Sequence, residues 1–310
     1  MQVFAEGAYP ADGTRAAVTV GVYDGVHLGH RRVLDRLRAR AAPADLTTAV
    51  VTFDPHPAAV LAPERAPSLL TSLDRRLELL AATGIDRCLI VGFDPERSSQ
   101  DPAGFVQRVL IDQLRVAAVV VGENFRFGHA RAGDVALLRS IAAVDGFDVE
   151  GVSLDAANGV PISSTRIRDL LAYGDVRGAS ELLGRPHELE GVVVKGDGRG
   201  RTLGYPTANL AIAPGLCVPA IGIYAGVWTR PTGERHAAAI SIGRRPTFHD
   251  DADVLVEAYV VEFDGDLYDE ASRIEFVERL RGEEKFDSVD ALVAQIDLDV
   301  QLTKRLIELR

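Results

Sequence analysis

The sequence predicts an α/β chain in two parts: a parallel sheet layered with helices, then an antiparallel β-barrel with a terminal helix. Three observations carry this. Through the first half, Val/Ile-rich runs that are apolar on consecutive positions alternate with amphipathic runs, the pattern of strands buried on both faces between helices. After "LGRPHELEG" the texture changes to short β-rich runs separated by turn residues. From Ser288 onward, Leu292, Ile296, Val300, Leu302, Leu306 and Leu309 recur at roughly helical spacing, and that helix is expected to pack on the barrel. A length of 310 residues gives room for two cores, and domains are expected at 1–184 and 185–310.

In chain order, the runs "AAVTVGVYDG", "TTAVVTFDPHP", "RCLIVGFD" and "VAAVVVGENF" carry the strands, and "RRVLDRLRARA", "SLDRRLELLAATG", "AGFVQRVLIDQLR" and "DVALLRSIAA" the helices between and after them. A helical pair, "SSTRIRDLLAYG" and "DVRGASELLG", is expected to close the first domain. Gly174 and Gly184 serve as its stops and Asp175 as a cap. "LEGVVVKGDG", "GIYAGVWTR", "HAAAISIG" and "VLVEAYVVEFDGD" supply the barrel strands.

Hydrophobic residues at 47% and charged residues at 25% describe a globular chain. A formal charge of −11 disfavours nucleic acid or an anionic membrane as the main partner, while leaving room for a locally basic phosphate pocket. The two cysteines, Cys88 and Cys217, have no metal-ligand spacing and form no disulfide framework. The N-terminus lacks a basic start followed by a long apolar core, and no run reaches about eighteen apolar residues. A cytoplasmic protein is expected, neither exported nor membrane-inserted; self-association is left open.

Ligands of such parallel sheets bind beyond the carboxyl ends of the strands, and the polar motifs fall there. "GVYDGVHLGH" follows the first predicted strand and leads into a helix whose apolar face starts at Val33, Leu34 and Leu37. His27 and His30 thus sit at a helix entrance, where free N–H groups and the dipole favour an anion and imidazoles add directed hydrogen bonds. Packed or metal-binding histidines are the alternative. In "ISSTRIRDLL", Ser163, Ser164, Thr165 and Arg166 offer hydroxyls, amides and a guanidinium at a second helix start; alone they would be an ordinary cap.

Farther on, "KGDGRGRTLGYPTANL" has glycines at 196, 198 and 200 whose amides can approach a nucleotide, with Arg199 and Arg201 supplying charge. Alone, such a loop is an ordinary solvated turn, and no Walker GxxxxGK[ST] is present. Thr207 and Asn209 place two hard oxygen donors on alternate positions, one face of an extended segment and a fit for Mg²⁺ together with phosphates and water; turn-forming residues are the alternative.

Together these strings resemble a known family. "GVYDGVHLGH" resembles the HxGH signature of nucleotidylyltransferases and "SSTRIRDLL" its partner motif. "TFDPHP" and "VVVGENFRFG" resemble the flavin adenylyltransferase module of bacterial riboflavin kinase/FAD synthetases. "GRTLGYPTANL", "GIYAGVW", "SIGRRPTF", "VEAYVVEFDGDLY" and "LRGEEKF" follow in the order of that family's riboflavin kinase module. The resemblance covers almost the whole chain. It implies a Rossmann-like nucleotidylyltransferase domain followed by a riboflavin kinase barrel, with riboflavin, FMN, FAD and Mg²⁺-ATP as substrates, products and co-substrate.

By the same resemblance, His27 and His30 bind ATP phosphates and stabilise charge as pyrophosphate leaves. Ser163 to Arg166 close over those phosphates, and Gly198 and Arg201 serve the kinase nucleotide. Asn124, Phe125 and Phe127 lie near the flavin or nucleotide, with His56 near the same crevice; core packing is the alternative for the two rings. Glu257 matches the catalytic glutamate, expected to point inward from its strand, and Arg281 is a flavin-binding candidate whose alternative is a surface ion pair. Departures are Tyr23 where relatives carry Phe, "RSSQDPA" where they are more apolar, Ser241 in place of Asn, and Ala258 and Tyr259 where many have a histidine near Glu257.

Overall fold

The computed structural model describes residues 1–153, 162–196, 198–244 and 254–308. The side chain of Arg199, Asp197, the second half of "SIGRRPTF" and Leu309 lie outside the described residues. The strands are β1 (Gln2–Ala5), β2 (Ala16–Val20), β3 (Thr47–Asp54), β4 (Arg87–Gly92), β5 (Val116–Gly122), β6 (Asp148–Val152), β7 (His187–Val194), β8 (Ala208–Ile212), β9 (Gly222–Thr229), β10 (Arg235–Arg244), β11 (Val254–Val260) and β12 (Ala271–Arg281). The helices are α1 (Leu28–Ala41), α2 (Pro57–Leu61), α3 (Leu73–Ala81), α4 (Pro95–Ser98), α5 (Pro102–Phe105), α6 (Val135–Asp145), α7 (Ser164–Ala172), α8 (Val176–Leu183), α9 (Arg199–Thr202) and α10 (Val289–Glu308); α5 continues as a π-helical stretch, Val106–Gln113.

Two compact units divide the chain: Met1–Pro67 with Ser72–Ser163, and Ser68–Thr71 with Ser164–Arg310. The first is built on a parallel sheet in the order β1-β4-β3-β2-β5-β6. Alternation along the strands sends Val18, Val51, Leu89 and Val119 to one face, with Phe105, Val109 and Leu138. Ala17, Val50, Cys88 and Ala118 go to the other face, with Leu34, Leu37 and Leu80. The consecutive apolar positions are thus explained by helices on both faces. The edge strands β1 and β6 were not read from the sequence, because half-exposed edges need no apolar run.

The second unit is a closed antiparallel barrel in the order β10-β11-β8-β7-β12-β9. Its core contains Leu189, Leu210, Tyr224, Trp228, Ile240, Val256 and Phe276. The helical pair expected to close the first domain packs here instead: Ile167, Leu171, Val176, Ala179 and Leu183 join the barrel core, as does Leu70 from the short segment Ser68–Thr71. Asp175 and Gly184 do cap α8, Asp175 accepting from the Gly178 amide and Gly184 taking the left-handed conformation.

The terminal helix packs on β9, β10 and β12. Its buried face holds Asp299, Val300 and Thr303, while Leu302 is 40% exposed and Leu298 58% exposed. Leu302 was expected on the packed face; a step of two from Val300 turns it about 200° round a helix, so it cannot share that face.

Candidate active sites

In the first unit, β2, β3 and β5 are neighbours, so the segments after them emerge side by side at the carboxyl edge of the sheet. These are the histidine turn, "DPHP" and "ENFRFG". The turn from β2 into α1 is tight: Tyr23, Gly25 and Val26 all have positive φ, at 55°, 82° and 40°. Tyr23 is buried, and its hydroxyl bonds the Thr19 hydroxyl at 2.6 Å. Its ring lies 4.9 Å from His30.

His27 is the N-cap of α1, and its Nδ1 accepts the His30 amide at 3.2 Å, which places its ring proton on Nε2. The His27 and His30 rings stack at 3.6 Å and 14°. Burial first, then His27, pushes the His30 imidazole well below its usual value, so it is neutral near pH 7. Its buried Nδ1 has no hydrogen-bond partner. Gly29 between them is tightly enclosed: a Cβ there would sit 3.1 Å from the His27 ring and 3.3 Å from the Ile162 carbonyl. The residue preceding Ser163 therefore lies against the first turn of α1.

Among the remaining candidates, Asn124 is exposed in the turn after β5. Phe125 is half-buried and stacks on Phe127 at 5.3 Å and 14°. Phe127 is itself a core ring, 8% exposed, against Phe105 and beneath Gly133. His56 caps α2, its Nδ1 accepting the Ala58 amide at 3.0 Å. Ser163 ends the first unit, while Ser164, Thr165 and Arg166 form the first turn of α7 in the second, with Thr165 exposed and the other three half-buried.

In the second unit, Glu257 pairs in register with Asn209 on β8 and with Ser241 on β10, a row of three across neighbouring strands. Glu257 was expected to point inward. It does not: Val256, Ala258 and Val260 fill the barrel core, and strand alternation turns Glu257 to the outer face, together with Asn209. That orientation spares a carboxylate from the apolar interior.

The glycine loop lies against the same residues. A Cβ on Gly196 would overlap the Asn209 amide, and one on Gly200 would collide with the Tyr205 carbonyl and sit 3.3 Å from the Thr207 hydroxyl. Gly198 is left-handed at φ 69° and caps the short α9; Arg201 is exposed. Asn209 is 6% exposed, and its buried Oδ1 has no hydrogen-bond partner. An orphaned amide oxygen two residues after a threonine hydroxyl suits a hard cation that completes its shell with phosphate and water. Among the described residues no three His, Cys, Asp or Glu side chains are grouped to hold a metal by themselves.

Arg281 ends β12 in a half-buried ion pair rather than a surface one. Its Nη2 lies 2.8 Å from Asp299 and its Nε 3.1 Å from the same carboxylate, while Nη1 donates to the Gly282 carbonyl and the guanidinium faces Phe286. Asp299 also accepts from Gln295 at 3.0 Å.

A family model described as FAD synthetase matches residues 10–166, and one described as riboflavin kinase matches residues 183–307. The Listeria monocytogenes bifunctional riboflavin kinase/FMN adenylyltransferase is 38% identical over 289 residues, 93% of this chain and 91% of the relative. This chain belongs to the bifunctional riboflavin kinase/FMN adenylyltransferase family. The Pseudomonas fluorescens family member is 38% identical over 93% of this chain and 92% of its own. A solved Streptococcus pneumoniae chain described as a macrolide-efflux protein has a TM-score of 0.89 at 28% identity and covers 98% of this chain and 99% of its own. Among the described residues no helix is long and apolar enough to cross a membrane.

Both family matches include the motifs described above: the first runs from before the histidine turn through Arg166, the second from β7 through most of α10. Three side chains at these places were not singled out by sequence. Asp299 and Tyr205, which bonds Asp297, tie α10 to the outer face of the barrel, and nothing in their sequence context marks them. Arg76 lies beneath the histidine turn, and it had a signal: a charge within the apolar stripe Leu73, Leu77, Leu80 of α3.

Proposed function

We infer that this member of the bifunctional family catalyses two successive transfers from ATP: riboflavin to FMN with release of ADP, then FMN to FAD with release of pyrophosphate. We assign the second to residues 1–184 and the first to residues 185–310, a division supported by the family matches at 10–166 and 183–307.

For the kinase step, the observation that carries the reading is the register pairing of Glu257 with Asn209 on one outer face. Glu257 takes the proton from the attacking ribityl hydroxyl as the new phosphate ester forms. Thr207 and Asn209 would hold Mg²⁺, which when bound supplies positive charge to the ATP phosphates. The loop bearing Gly198 and Arg201 covers the nucleotide. Arg281, its fork held by Asp299, fixes the segment through Phe286 against the flavin.

For adenylyl transfer, the FMN phosphate is already ionised near neutral pH, so positioning and charge stabilisation matter more than a base. His27 donates from Nε2, and His30 and the α1 amides add donors toward the phosphates. We also assign phosphate binding to Ser163, Ser164, Thr165 and Arg166, which offer hydroxyls, amides and a guanidinium at the start of α7. Phe125, supported from below by Phe127, offers a ring face to the flavin, and Asn124 an exposed amide. We place the protein in the cytoplasm, where its two buried cysteines, which form no disulfide, stay reduced.

Product analysis of purified protein given riboflavin, ATP and Mg²⁺ tests this. Wild type forms FMN and then FAD; His30→Ala stops at FMN; Asn209→Ala and Glu257→Ala make no FMN but convert added FMN to FAD. FMN accumulation without FAD in the wild type would sink the bifunctional reading.

A further inference from the structure

Arg76 is 3% exposed, a cation buried in the first unit of an acidic chain. Burying a guanidinium is costly, and an apolar side chain of similar volume would pack α3 without that cost. Its contacts show what it does there. Nη1 donates to the Val22 carbonyl at 2.8 Å and to the Phe53 carbonyl at 3.4 Å, and Nη2 lies 3.8 Å from Asp54. The Val22 carbonyl also accepts the Thr52 hydroxyl at 3.0 Å. One planar fork thus joins the chain leaving β2 to the end of β3, a geometry a lysine cannot reproduce.

Val22 immediately precedes Tyr23, the left-handed residue whose ring abuts His30, and His30 stacks on His27. Such backbone conformations persist only where their surroundings over-determine them. We propose that Arg76 is a positioning residue for adenylyl transfer: it fixes the Val22 carbonyl and so holds the Tyr23 turn that sets the His30–His27 stack. It acts through the turn and not on substrate: its hydrogen bonds go to main-chain carbonyls, and Nη2 lies in ion-pair range of Asp54. The proposal rests on reading this turn as the grip on ATP's phosphates.

The full chain carries its own control, because the kinase residues lie in the other unit. Arg76→Met and Arg76→Lys are assayed for FAD from FMN and for FMN from riboflavin, with His30→Ala and the His30→Ala/Arg76→Met double in parallel. We expect kcat for adenylyl transfer at saturating ATP to fall about a hundredfold in Arg76→Met and about tenfold in Arg76→Lys, each tenfold being about 1.36 kcal/mol of activation barrier, with kinase turnover within roughly twofold. In the double variant Arg76→Met adds little to the loss from His30→Ala, because the two act through one turn. Adenylyl transfer within threefold of wild type in Arg76→Met, equal loss of both activities, or losses that multiply in the double would each overturn the proposal. If Arg76→Met does not fold, Arg76→Lys decides by its own kcat. Unimpaired adenylyl transfer in His30→Ala would instead remove the underlying reading of the turn.

Discussion

Thr19 and Tyr23 make a hydrogen bond inside the first unit that a phenylalanine at 23 would not make. Thr19→Val leaves the Tyr23 hydroxyl buried without this partner and should cost about 1–3 kcal/mol, whereas Thr19→Val combined with Tyr23→Phe removes both polar atoms and should recover most of that. Unfolding of the single and double variants measures it; equal losses would show that the bond contributes nothing. His30 makes a pH-dependent contribution. Its folded value is depressed, by burial and then by His27, so the neutral ring's stability is complete above about pH 6.5 and is lost as pH falls below it toward the folded value. Between about pH 7.5 and 5.5 the wild type should therefore lose more thermal stability than His30→Gln, and parallel curves would contradict this. His27, His30 and Asn209 were legible as chemistry because their residue types and spacing carry it. Arg76 and Asp299 were not, because sequence does not show which of many charged residues the fold buries.

Among elements, the glycine loop before α9 is shaped by what lies beneath it. Gly196→Ala drives a methyl group into the Asn209 amide. Kinase turnover should fall at least tenfold, the scale of misplacing a positioned group, while adenylyl transfer stays unchanged. Steady-state assays of both activities check this, and an unaffected kinase would mean that the loop and Asn209 move apart freely. The parallel sheet and barrel were legible because their textures differ: β2, β3, β4 and β5 are apolar on consecutive positions, whereas the barrel strands are short and bounded by turns. The edge strands β1 and β6 escaped because exposure removes the apolar signal. The inward orientation assumed for Glu257 ignored its neighbours, since Val256 and Ala258 already claim the barrel interior. The placement of α7 and α8 was not legible either: an amphipathic face shows that a helix packs, and not which core receives it.

At the scale of the whole molecule, the residues proposed for the kinase step all fall in the second unit, while both histidines and the proposed flavin residues of adenylyl transfer fall in the first. A lesion in either set should therefore leave the other reaction running. The intermediate that joins them is FMN, an anion that water solvates well, so nothing in its chemistry forbids release between steps. An equimolar mixture of His30→Ala and Glu257→Gln contains one working copy of each site on separate chains. Given riboflavin, ATP and Mg²⁺, the mixture should form FMN first and FAD after a lag, because FMN must build up in solution before the second chain captures it. Neither variant alone should reach FAD from riboflavin. Chromatography of the time course reads all three species. If the mixture forms no FMN, or if Glu257→Gln alone fails to convert added FMN to FAD, then one of the assigned lesions disables its partner reaction and the division of labour fails.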